Sequence, residues 1–130
     1  MSIVGKRPEI SGIAEALAAR EPLFHRPEFG TARQDFERMM AAEFWEVGAS
    51  GQIYSRAFVL DTLEQRHRAP VTEDLSVTGF GCQQLAADLF LASYTLDQSG
   101  RISRRATLWR QTPDGWQAVY HQGTIVACGS

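Results

Sequence analysis

Residues 101–126, RISRRATLWRQTPDGWQAVYHQGTIV, contain two strand-like runs, 102–110 and 116–126, joined by Thr112-Pro113-Asp114-Gly115. Proline at the second turn position presets φ, and glycine at the fourth accepts a left-handed conformation, so the runs should pair antiparallel. The rest of the chain reads as material that packs on this hairpin. Alternation puts Arg105, Thr107 and Trp109 on one face of the first run, with Ile102, Arg104, Ala106, Leu108 and Arg110 on the other. The second run divides into Trp116, Ala118, Tyr120, Gln122 and Thr124 against Val119, His121, Gly123 and Ile125. Which set joins Arg105 and Trp109 depends on whether Gly115 forms a bulge, because a slip of one residue exchanges every neighbour. An Arg, a Tyr, a His, a Gln and two Trp on one short hairpin are more polar and aromatic than a plain core needs.

Upstream, residues 1–9 carry Gly5 and Pro8 and read as a flexible lead-in. Ile10, Ile13, Ala14 and Leu17 recur at helical spacing behind Ser11 as a cap, and the helix should weaken at Glu21, which precedes Pro22. Leu23 and Phe24 can pack as its last turn. His25 to Gly30 is a loop, and Thr31 with Gln34 forms a capping box for a second helix with a stripe of Ala32, Phe36, Met39 and Met40. A small hairpin follows, with Phe44 to Val47 and Gln52 to Tyr54 around Gly48-Ala49-Ser50-Gly51; Glu46 shares a face with Phe44. Ser55 caps a third helix with a stripe of Val59, Leu60, Leu63 and His67, and Pro70 ends it. Asp74 to Leu85 and Leu89 to Leu96 then alternate as strands, with Gly79 and Gly81 marking a bend and 97–100 a turn. The fold class is α+β: helices packed on one face of a curved antiparallel sheet. One domain spans 10–126, and 127–130 is a tail.

A chain of 130 residues buries roughly two-thirds of its unfolded surface and needs no staples. With 13 Lys+Arg against 15 Asp+Glu it offers no basic face for nucleic acid. Cys82 and Cys128 make neither a disulfide framework nor a zinc motif, and three scattered His have no metal spacing. No phosphate loop or cofactor signature is present. No segment has signal-peptide or membrane-span character, so the reading is a reduced, cytoplasmic protein.

The element order, together with Phe44-x-Glu46-x-Gly48-x-x-Gly51 and Trp116-x-x-Val119-Tyr120-His121-Gln122-Gly123-Thr124, resembles the nuclear transport factor 2-like superfamily, closest to a bacterial branch of it. The resemblance covers about Ile10 to Ile125. It implies a cystatin-like cone, a sheet wrapped around a long helix with a pocket at the open end, and often a homodimer formed through the sheet. It also implies that Trp116 and the alternate residues Tyr120, Gln122 and Thr124 point inward. Activity does not follow, because the superfamily holds ketosteroid-isomerase-like, polyketide-cyclase-like and dehydratase enzymes as well as kinase association domains and binding modules. No residue here matches the Asp or His base of the enzyme branches.

Glu46 is the first candidate acid or base: burial would raise its pKa and a cation such as Arg105 would lower it. The competing role is a structural ion pair. His121 is the second, with an unperturbed pKa of about 6.5; its competing role is a satisfied sheet residue. Adjacent Arg104 and Arg105 face opposite ways, so at most one enters a pocket. Ligand-binding residues would come from Glu46, Tyr54, Arg105, Trp109, Tyr120, His121 and Gln122, although aromatics at strand spacing also serve as core. Two function classes follow. The first is a small-molecule-binding cone with a polar floor. The alternatives are an enzyme for acid-base isomerisation, dehydration or hydrolysis, and a dimerising interaction module without a ligand. A homodimer is expected through the outer face of the last strands, where apolar residues lie beside Arg104 and Arg110; the rival is a monomer whose N-terminal segment covers that face.

Overall fold

The computed structural model describes residues 6–68 and 74–126, and side chains for 12–66 and 74–126. The tail with Cys128, the His67 side chain and Pro70 lie outside this description, as do residues 1–5 of the expected lead-in. In chain order the elements are α1 (Lys6–Ala18), a single 3-10 turn (Pro27–Phe29), α2 (Arg33–Met39), β1 (Met40–Val47), β2 (Ile53–Ser55), α3 (Arg56–Arg68), β3 (Leu75–Ala86), β4 (Leu89–Gln98), β5 (Arg101–Thr112) and β6 (Gly115–Ile125). α1 starts at Lys6, ahead of Ser11. Pro8 falls in its first turn, where the missing N–H forfeits no helical bond. α2 starts beyond Thr31, and the expected Thr31–Gln34 box is replaced by half of one: the Ala32 N–H donates to Asp35 Oδ2 at 3.0 Å, while Ala32, which is exposed, has no side chain to cap with. Ser55 caps α3 as expected, its Oγ accepting from the Phe58 N–H at 3.1 Å.

The strands form one sheet in the order β2-β1-β6-β5-β4-β3. The expected meander is antiparallel throughout, from β3 to β6. The sheet as a whole is mixed, because the first hairpin joins it with β1 parallel to β6. Gly79, at φ +64°, bulges β3 between Thr78 and Gly81, as its position within a strand suggests. All three helices lie on one face: α1 against β3 and β4, α2 against β1, β6 and α3, and α3 against β1 and β2. Between them and the sheet sits the core, in which Phe24 meets Phe36 and Phe44 edge-on, with both centroid distances 5.9 Å. Arg33 ties α2 to α3 through Asp61 (2.9 Å) and Glu64 (3.2 Å). Among the described residues no helix is long and apolar enough to cross a membrane.

The β5–β6 hairpin closes on the two residues Pro113 and Asp114, with Thr112 opposite Gly115. The register shift lies further along. Trp109 pairs with Ala118 and Leu108 with Tyr120, so Val119 is an extra residue on β6. This bulge reverses the alternation. Trp116 and Ala118 face the helices before it, and His121 and Gly123 after it, opposite Thr107 and Arg105. The inward placement of Tyr120, Gln122 and Thr124 implied by the resemblance is thereby overturned: these residues lie on the outer face, where Tyr120 packs on Trp45 with ring centroids 4.6 Å apart.

Candidate functional site

A cavity of about 360 Å³ opens between α3 and the inner face of the sheet. That volume is at the lower end of the range for small-molecule sites, roughly 300–1,000 Å³. α3 supplies Phe58, Val59, Thr62, Leu63 and Arg66 at the i, i+3, i+4, i+7 spacing of one helix face. The turn after α1 supplies Leu23, Phe24 and His25, and the strands supply Glu46, Tyr54, Arg105 and His121. The cavity thus has an apolar wall and a floor of charged and polar groups.

Glu46 and His121 are register partners across the parallel β1–β6 junction. The His121 ring is 4% exposed, and its Nδ1 lies 2.7 Å from Thr107 Oγ1. This contact leaves Nε2 as the nitrogen available to the cavity. Burial, with Arg105 and then His25 adding positive charge nearby, pushes the His121 pKa down to about 3. At neutral pH the imidazole is therefore uncharged and has no proton to deliver as an imidazolium. The Glu46 carboxyl is held above the usual carboxylate range, because burial outweighs the opposing charges of Arg105 and Arg66. It forms no salt bridge among the described residues. Of the two candidates, Glu46 is the better proton carrier near neutrality.

Arg105 lies half-buried across from Gly123, and a Cβ at Gly123 would stand 3.1 Å from its Nε and 3.2 Å from its Cζ. The glycine leaves the room in which the guanidinium lies. Nε donates to Ser103 Oγ at 2.9 Å and Nη2 to Gln98 Oε1 at 3.4 Å. Tyr54 stacks on Phe58, with centroids 4.8 Å apart, and its hydroxyl donates to Gln52 Oε1 at 2.9 Å.

Of the seven residues expected to contact a ligand, Glu46, Tyr54, Arg105 and His121 line the cavity. Trp109 does not: it is a core residue whose Nε1 donates to Glu21 Oε2 at 3.0 Å. Tyr120 and Gln122 are on the far side of the sheet, hydrogen-bonded to each other at 2.9 Å. Sequence reasoning missed Arg66, which the spacing from Val59 and Thr62 would have found, and Glu21, which no local pattern marks. Glu21 is fully buried, accepting from Tyr94 Oη at 2.6 Å and from Trp109, with the Thr107 hydroxyl as a further polar neighbour. Burial nevertheless raises its pKa. Thr107 therefore stands between a buried carboxyl and a cavity-lining imidazole.

Neither a scan against protein-family models nor a search of curated proteins finds a match. Solved structures do match over nearly the whole chain. A candidate dehydratase of the nuclear transport factor 2-like family from Streptomyces avermitilis aligns at 17% identity and TM-score 0.69, covering 92% of this chain and 96% of that one. A protein with a cystatin-like fold from Caulobacter vibrioides aligns at 16% identity and TM-score 0.68, covering 91% and 92%. The fold is that of the nuclear transport factor 2-like proteins. A third such structure, from Cytophaga hutchinsonii, gives TM-score 0.66 at 10% identity, covering 85% and 95%. At these identities the likeness carries the nuclear transport factor 2-like fold, which the motifs around Glu46 and His121 imply, and carries no activity.

Proposed function

We propose that the protein binds a small, partly apolar molecule in the cavity between α3 and the sheet. The observation that carries this reading is the division of the lining into an apolar wall, with Leu23, Phe24, Val59 and Leu63, and a polar floor, with Glu46, Arg105 and His121. Thr62→Phe, at a half-buried lining position, fills the space without removing a core side chain. Ligand-detected NMR with a fragment library should show binders for the native protein that Thr62→Phe loses while its melting temperature holds. Binders retained by Thr62→Phe, or none at all, would sink the reading.

A second reading, acid-base catalysis, is favoured by the placement of Glu46 and His121 side by side on the same cavity. Glu46 takes a proton from an acidic C–H of a carbonyl compound, as an isomerisation or dehydration requires, and the neutral His121 accepts or donates a hydrogen bond. The expected result is solvent deuterium entering the α-position of such a bound compound with the native protein and not with Glu46→Gln; equal exchange with both would exclude Glu46 as the carrier. The same proposal includes a homodimer through the outer face of the sheet.

A further inference from the structure

The cavity floor carries more positive than negative charge. Arg105 has its Nε and Nη2 on neutral oxygens only, those of Ser103 and Gln98, and its Nη1 has no partner among the described residues. Arg101 donates to the same Gln98 Oε1 at 3.3 Å, which brings a second guanidinium to that oxygen. Arg66 lines the cavity as well. The facing carboxyl, Glu46, makes no ion pair with any of them among the described residues. Glu46 and Glu21 act on Arg105 only through space, and a partly buried guanidinium with no anion in contact is costly; its planar fork matches a carboxylate in a way that neutral acceptors do not. Gly123 keeps open the ground on which that fork lies. Leu23, Phe24, Tyr54, Phe58, Val59 and Leu63 make most of the remaining lining apolar or aromatic, which suits an organic body and not a free inorganic anion.

We propose that the ligand is a small organic acid, with its carboxylate on Arg105 and its apolar body against Phe24, Val59 and Leu63. The proposal rests on the small-molecule reading above. Its test is titration calorimetry of the full chain near neutral pH with 4-phenylbutyrate and its uncharged amide as paired probes. The acid should bind at least about tenfold more tightly than the amide, and Arg105→Gln should bring the acid to the level of the amide. Glu46→Gln, which removes the competing negative charge, should tighten the acid and leave the amide unchanged. Gly123→Ala keeps the charge and displaces the guanidinium, so it should weaken the acid selectively even if Arg105→Gln folds poorly. Equal binding of both probes, lost together in Thr62→Phe, would overturn the organic-acid assignment and leave the cavity reading standing. Acid binding indifferent to both Arg105→Gln and Gly123→Ala would also overturn it. Failure of both probes and of a series of organic acids from acetate to naphthoate would overturn both readings.

Discussion

Thr107 has one hydroxyl proton and two polar neighbours, the Glu21 carboxyl and His121 Nδ1. If that proton goes to Glu21, Nδ1 must donate to Thr107 and Nε2 presents a lone pair to the cavity. If Glu21 is itself protonated and donates to Thr107, the order reverses and Nε2 carries the hydrogen. A buried carboxyl on α1's exit turn thus sets the tautomer of a ring on β6. The same groups fix how stability responds to acid. His121 has a folded pKa of about 3 against 6.5 for the free side chain, so the unfolded chain binds the extra proton between those values. Its contribution is complete above 6.5 and is lost as pH falls toward 3. Glu21 and Glu46, whose pKa values are raised, act in the opposite sense: their contribution is present below 4.5 and is lost as pH rises through their folded values. The native protein should lose about 2 kcal/mol through His121 between neutrality and about pH 5, and His121→Gln should abolish that part of the slope. Urea unfolding of both proteins across this window checks it; parallel slopes would show that His121 is not held neutral by the fold.

The elements that local chemistry specifies were legible. Ser55 at the N-terminus of α3, Pro113 and Asp114 in the last turn and Gly79 at the β3 bulge each have a short-range physical cause, and each is where the pattern put it. The features missed depend on contacts distant in sequence. Glu21 meets Tyr94 and Trp109 at separations of 73 and 88 residues, and before Pro22 it reads only as a helix end. The parallel β1–β6 pairing also has no local signal. At β6 the sequence left open whether Gly115 forms a bulge, and the extra residue is instead Val119, a good strand former that nothing marks. Its effect is to keep both Ala118 and His121 inside, positions that strict alternation would place on opposite faces. Deleting Val119 leaves Ala118 and His121 two positions apart on a regular ladder, so the variant should keep both sets inside and lose no more than about 2 kcal/mol. Thermal unfolding followed by tryptophan fluorescence reads this directly, and a deletion variant that no longer unfolds cooperatively would show that Val119 does more than add one unpaired residue to β6.

At the scale of the molecule, the helices cover one face of the sheet and the bulge decides what the other presents. Leu91, Leu108, Tyr120 and Trp45 are successive register partners across β4, β5, β6 and β1, which makes a continuous apolar row on the outer face. Trp45 is 44% exposed even with Tyr120 against it. α1 packs through Leu17 into the inner core, so this helix is not the cover for that row. Strands at roughly 4.8 Å spacing and about ten residues at roughly 3.3 Å rise give a face of roughly 600–800 Å², close to what each partner buries in a standard-size interface. Arg110 is occupied by Glu43 at 2.7 Å, and Arg104 is exposed beside the row, so Arg104 is the rim cation open to a partner. A twofold pairing would set Leu108 near its own copy, and a carboxylate there would be desolvated against a second one. Sedimentation of the native protein at micromolar concentration should give twice the 14.5 kDa chain mass, and Leu108→Glu should sediment as the single chain with its melting transition retained. A native protein that sediments at 14.5 kDa refutes the dimer, and a Leu108→Glu variant that is folded and still dimeric moves the interface off this face.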